Sequence, residues 1–149
     1  MHRHPALRPL SRGHQPLLVH ARDLRWRATY LERGDSHLQP DAFALFRTYA
    51  EEHLEPHLRA EELHLLPRLA KFDDDDLLCA LGDDTDARVA LRSAVAEVTG
   101  ETPLGLRRLG DALEAHARGC ERGLFPIAER VLEESALTAL HVAIDAYQI

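Results

Sequence analysis

His57-Leu58-Arg59-Ala60-Glu61-Glu62-Leu63-His64-Leu65-Leu66-Pro67 and His116-Ala117-Arg118-Gly119-Cys120-Glu121-Arg122-Gly123-Leu124-Phe125-Pro126 are two versions of one stretch, offset by 59 residues. The copies share His, Arg, Glu, Leu and Pro at aligned positions, and Leu66 and Phe125 are both apolar. Each brings a His and a Glu to one region of a helix. Imidazole nitrogen and carboxylate oxygen suit iron, manganese or zinc, so the duplicated pair reads first as two halves of one metal site.

Around these stretches the apolar residues recur every three or four positions. Phe43, Phe46, Ala50, Leu54, Leu58, Leu65 and Leu69 predict a helix over 41–71, with Asp41 as its N-cap. Leu106, Leu109, Leu113, His116, Cys120 and Leu124 predict another over 103–132, opened by Thr102-Pro103. Leu17, Leu18, Ala21, Leu24, Ala28 and Leu31 define a first helix over 11–33, capped by Ser11. A third is expected over 74–99, opened by the acidic run at 73–76, broken near Gly82, with Val89 and Ala96 inward. A short fifth helix is expected from Glu134 to Tyr147, and residues 1–9 read as an irregular arm. Nothing reads as a strand. The expected fold is all-α, an antiparallel four-helix bundle with a short C-terminal helix, forming a single domain over 1–149.

The composition fits this reading. A chain of 149 residues with 45% hydrophobic and 29% charged residues is long enough for one buried core and too short for two ordinary domains. A net charge of −7 and scattered arginines disfavour nucleic acid as a partner and favour a cation. Cys79 and Cys120 form no CxxC pair, and no apolar run approaches 18 residues. The expectation is a cytoplasmic protein with no membrane span.

The polar residues on the apolar stripes carry the chemistry. His14 precedes Leu17 and Leu18 at helical spacing. His57 and Glu61 stand at i and i+4 on the inward stripe, where they either hold one ion together or form an ion pair. Pro56 predicts an irregularity just before His57, because a proline within a helix frees the carbonyl four residues earlier and clashes with it. Glu121 follows His116 by five residues and points elsewhere on an ideal helix. A widened turn would swing it back, and Gly119, Gly123 and Pro126 are residues that loosen the ladder. His53 and His64 read as surface or supporting residues.

With these motifs in order, the chain resembles the hemerythrin-like, HHE cation-binding family of four-helix bundles. The resemblance runs from Ser11-Arg12-Gly13-His14, through His57-x-x-x-Glu61-Glu62, to His116-x-x-x-x-Glu121 with Leu124-Phe125-Pro126. It implies a non-haem pair of iron ions, oxo- or hydroxo-bridged, with His14, His57, Glu61, His116 and Glu121 as ligands and Glu61 and Glu121 as bridges. Two positions depart from the family pattern. Asp86 stands where helix three of the family has a histidine, and Cys120 stands where a second glutamate is frequent. Either Asp86 serves as the ligand from helix three, or the site holds one metal or none.

The resemblance thus implies a metal-binding protein that binds, senses or reacts with dioxygen, another small diatomic or peroxide, rather than an enzyme acting on an organic substrate. Alternatives are a mononuclear zinc or manganese site on His57, Glu61 and His116, and a helical interaction or scaffold protein with a degenerate site. No phosphate-binding loop, nucleotide fingerprint or Ser/His/Asp arrangement is present.

Overall fold

The computed structural model describes residues 2–146, and among them the fold is all-α, with five helices and no strand. We number them α1 (Arg8–Glu32), α2 (42–69), α3 (Asp75–Glu97), α4 (103–131) and α5 (Glu134–Asp145). Tyr147, the expected end of the fifth helix, lies outside the described residues. No helix among the described residues is long and apolar enough to cross a membrane.

Two helix starts follow their predicted caps. Thr102 Oγ1 accepts from the Gly105 amide ahead of Pro103, and Asp74 Oδ1 accepts from the Leu77 amide. The N-terminus differs from expectation. Ser11 lies inside α1, because Pro9 sits in the first turn and Ala6, Leu7 and Leu10 are buried. A single 3₁₀ turn, Pro5–Leu7, precedes the helix, with His4 Nδ1 accepting from the Ala6 amide, and it packs against α5. Apolar burial therefore orders a segment whose prolines read as irregular. Asp41 precedes α2 but makes no side-chain cap. α1 ends before Gly34, whose φ of +79° is the left-handed conformation that glycine adopts without steric cost.

α3 is continuous through Gly82 and stops at Glu97. Val89 is 62% exposed and Ala96 is also exposed, so the inward face differs from the predicted one. It consists of Leu77, Asp84, Arg88 and Leu91.

Three turns of π-helix interrupt α2 and α4, at Ala50–Leu54, Glu61–Leu65 and Cys120–Leu124. Each is followed two residues later by a proline: Pro56, Pro67 and Pro126. Proline lacks an amide hydrogen and collides with the carbonyl of residue i−4, and widening the turn relieves both problems. Pro16 lies inside α1 without such a turn, so proline alone does not enforce it. The irregularity before His57 and the widened turn after His116 are as predicted; the turn at Glu61–Leu65 was not foreseen.

α4 packs along α1 and α3, and α2 meets α1 through its first turns. Buried apolar residues fall into two clusters. One gathers Leu7, Leu10, Leu65, Leu69, Leu77, Phe125 and Leu140; the other gathers Leu17, Leu24, Phe46, Leu58, Leu91 and Leu113. In every long helix the sequence passes from one cluster to the other through polar residues. His14 lies between Leu10 and Leu17, Glu61 between Leu58 and Leu65, Asp84 and Arg88 between Leu77 and Leu91, and His116 between Leu113 and Leu124.

Candidate metal centre

At the middle of this polar layer is Glu61, whose side chain has no exposed surface. Its Oε1 lies 3.1 Å from His116 Nε2, which donates to it, 3.0 Å from His57 Nε2 and 3.4 Å from the Arg88 guanidinium. Its Oε2 lies 3.6 Å from His14 Nε2 and 3.7 Å from Cys120 Sγ. Donor atoms of His14, Glu61, His116 and Cys120 all fall within 4.8 Å of one another, and all four residues are buried.

His57 reaches the centre because residue 13 is glycine. A Cβ there would stand 2.4 Å from His57 Nδ1, so the backbone of α1 approaches the imidazole where any side chain would collide. On the outer side His57 borders a cleft of about 510 Å³ between α1 and α2, lined also by Arg12, Tyr49, His53 and Pro56.

Glu121 is not at the core of the layer. Its Oε1 accepts from His14 Nδ1 at 2.9 Å, while its Oε2 and its backbone carbonyl take Arg3 of the N-terminal segment at 3.0 and 2.9 Å. A carboxylate on the outer nitrogen of a histidine fixes the ring and leaves the other nitrogen, here Nε2, aimed inward. The widened turn is present, but it brings Cys120, at i+4, inward and leaves Glu121 on the rim. Among the sequence-predicted ligands, His14, His57, Glu61 and His116 therefore converge, Glu121 supports His14 from behind, and Asp86 is exposed on the outer face of α3. The position matched to the family's histidine is one turn-face away from the interior. α3 supplies Asp84 and Arg88 instead, joined by a 2.7 Å hydrogen bond from Nε to Oδ2. His53 is exposed and His64 is half-buried.

The electrostatics follow from burial opposed by close partners. Burial pushes the Glu61 carboxyl up, but the imidazoles of His57 and His116, the hydrogen bond from His116 and the nearby His14 ring outweigh it and hold the carboxyl well below its usual range. For His14 burial favours the neutral ring, yet the hydrogen bond to Glu121, the close approach of Glu61 and the charges of both raise its pKa to about 9. Burial also raises Glu121, and its bonds to His14, Ser11 and Arg3 overcome this and bring it to about 2. The Cys120 thiol is pushed well above its ordinary range by burial and then by the charges of Glu61 and Asp84. Empty, the layer is thus partly balanced by protons and by Arg88, and it is less self-repelling than a bare set of carboxylates.

The fit to a metal ion rests on nitrogen atoms that lack hydrogen bonds. His14 Nε2 and both ring nitrogens of His57 are buried and make no hydrogen bond among the described residues. Buried polar atoms are ordinarily satisfied, and imidazole nitrogens converging on one carboxylate without bonding geometry are the donors a cation recruits. The residues present can hold a metal ion. Comparison of this chain with protein-family models, with curated proteins and with solved structures found no match.

Proposed function

We propose that this chain is a hemerythrin-like four-helix bundle, formed by α1 to α4 with α5 closing one end, that binds metal in its polar layer. In the family it resembles, the metal is iron and meets dioxygen or a related diatomic, and we assign that role here. The observation that carries the reading is the convergence of His14, Glu61, His116 and Cys120 donor atoms within 4.8 Å in a buried polar layer between two apolar clusters. Bound iron would supply a Lewis-acidic position and electrons for a small ligand. The residues supply the rest. Leu58, Leu65, Phe125 and their neighbours exclude water, Glu121 orients His14, and the cleft beside His57 supports entry of a ligand of a few atoms. We favour an ion-binding or sensing role over turnover of an organic substrate, because the converging donors are all buried.

A second reading, a helical interaction protein that folds without metal, is favoured by Arg88, whose buried guanidinium offsets Glu61 and Asp84. Metal analysis and the absorption spectrum of aerobically purified protein separate the two. Iron with near-ultraviolet charge-transfer bands supports the first. Fully folded protein that binds no metal on anaerobic addition of ferrous iron leaves the second.

A further inference from the structure

Resting on the metal-binding reading, we propose that the centre takes one divalent ion, not two, with the Cys120 thiolate as a ligand beside His14, Glu61 and His116, and with Arg88 in the place of a second cation.

The two oxygens of Glu61 have different surroundings. On the Oε2 side stand His14 Nε2 and Cys120 Sγ. On the Oε1 side stand His57 Nε2, a guanidinium nitrogen of Arg88 3.4 Å away, and His116 Nε2 at 3.1 Å, which also lies within the 4.8 Å group that contains the His14 and Cys120 donors. Arg88 is only 5% exposed and is fixed by Asp84 Oδ2 and by the Leu58 carbonyl, to which it donates at 3.3 Å. A guanidinium does not lose its charge in a protein. A second dication on Oε1 would sit against this fixed cation in a medium that screens poorly. α3 offers no imidazole to hold it, and Asp86 faces outward.

Charge balance points the same way. With Glu62 and Glu121 on the rim matched by Arg92 and Arg3, one divalent ion and Arg88 match the three anions inside the layer: Glu61, Asp84 and a deprotonated Cys120. A second divalent ion leaves two positive charges without partners in a dry layer, which is costly. Cys120 is the structural equivalent of Glu61 in the repeat. Both occupy the fourth position after the histidine, both turn inward at the start of a π turn, and their side chains lie 3.7 Å apart. Cys120 Sγ also lies 3.9 Å from His116 Nε2. When the metal–sulfur bond forms, the thiol proton passes to water, and no electron is transferred. Two imidazoles, one carboxylate and one thiolate form a softer set than a carboxylate-bridged iron pair and suit zinc or ferrous iron.

The test is anaerobic titration of the metal-free protein with cobalt(II) and with iron(II), followed by equilibrium dialysis, metal analysis and near-ultraviolet spectra. Expected are one ion per chain for each metal and a sulfur-to-cobalt charge-transfer band. Cys120→Ser should lose that band and bind at least tenfold more weakly, and Arg88→Gln should admit a second ion. Two ions in the wild type would overturn this inference and leave the metal-binding reading standing, whereas no bound ion would overturn both. One ion without the sulfur band would remove Cys120 from the ligand set. An Arg88→Gln protein that folds yet stops at one ion would overturn the role given to Arg88. The wild-type stoichiometry decides the count even if that variant fails to fold.

Discussion

Four residues after the histidine, residues 57–67 have Glu61 and residues 116–126 have Cys120; one residue further, both have a glutamate. Both fourth positions are buried, at 0% and 1% exposure, and both are followed by a π turn and a proline. The copies therefore share a backbone and a direction. They differ in what the neighbouring helix offers. Glu62 faces α3 and pairs with Arg92 at 2.5 Å, whereas Glu121 faces α1 and holds His14. The lesson is that the repeat specifies which positions turn inward, while residue type and the partner helix decide whether an inward position is a hub, a ligand or a support.

The hub and its counterpart should respond unequally to the same change. Glu61→Ala leaves three buried histidines without their shared carboxylate and Arg88 with Asp84 as its buried partner, and should destabilise the metal-free protein by about 3–5 kcal/mol. Cys120→Ala removes a small side chain that behaves as a hydrophobe when protonated and should cost about 1 kcal/mol. Denaturant unfolding of both variants checks this, and equal losses would mean that Glu61 is not the centre of the layer.

The paired glutamates sharpen the contrast. Glu121→Gln keeps the shape but weakens the hold on His14, and it should lower metal affinity about 10- to 100-fold. Glu62→Gln disturbs only a partly exposed pair with Arg92 and should leave affinity within about twofold, since such pairs contribute little. Competition against a chromophoric chelator measures both. The reverse order would assign the ligand-supporting role to the first copy.

The smallest effect concerns the backbone. Gly119 aligns with Ala60, lies at αR dihedrals immediately before the π turn of the second copy, and has no atom within 4 Å of an added Cβ. Gly119→Ala should stabilise the protein by about 0.5–1 kcal/mol, by the difference in helix propensity. A loss measured by thermal unfolding would show that the second copy needs its glycine.

Much of this was legible in the sequence. His14, His57, Glu61 and His116 lie on apolar stripes with three-or-four spacing; Pro56 marked the irregularity before His57, and Gly119, Gly123 and Pro126 marked the widened turn after His116, while the turn at Glu61–Leu65 went unread. α3 was not legible, because its inward face carries Asp84 and Arg88 while Leu78 and Val89 are exposed, so hydrophobic spacing points the wrong way. The signal was the series Leu77, Asp84, Arg88, Leu91, at steps of seven, four and three, disguised as an ordinary i,i+4 surface pair. The resemblance placed the α3 ligand at Asp86, in the family histidine's position beside Ala87-Arg88, but Asp86 is exposed and the inward carboxylate is Asp84, two residues earlier. Arg3, which ties Glu121 to the N-terminal segment, had no spacing to reveal it.

The polar layer as a metal site is tested most directly by thermal unfolding with and without ferrous iron, anaerobically, at pH 6.5 and 8.5. A free ion at 100 times its dissociation constant stabilises the fold by about 2.7 kcal/mol, several degrees in Tm for a domain of this size. The sign with pH follows from His14. Its folded pKa of about 9 exceeds the unfolded 6.5, so its proton stabilises the metal-free protein below pH 6.5, and that stabilisation is lost as pH rises through 9. The same proton must leave Nε2 before a cation can bind there. The account predicts that iron raises Tm at both pH values and raises it more at pH 8.5; identical melting with and without iron at both would contradict it.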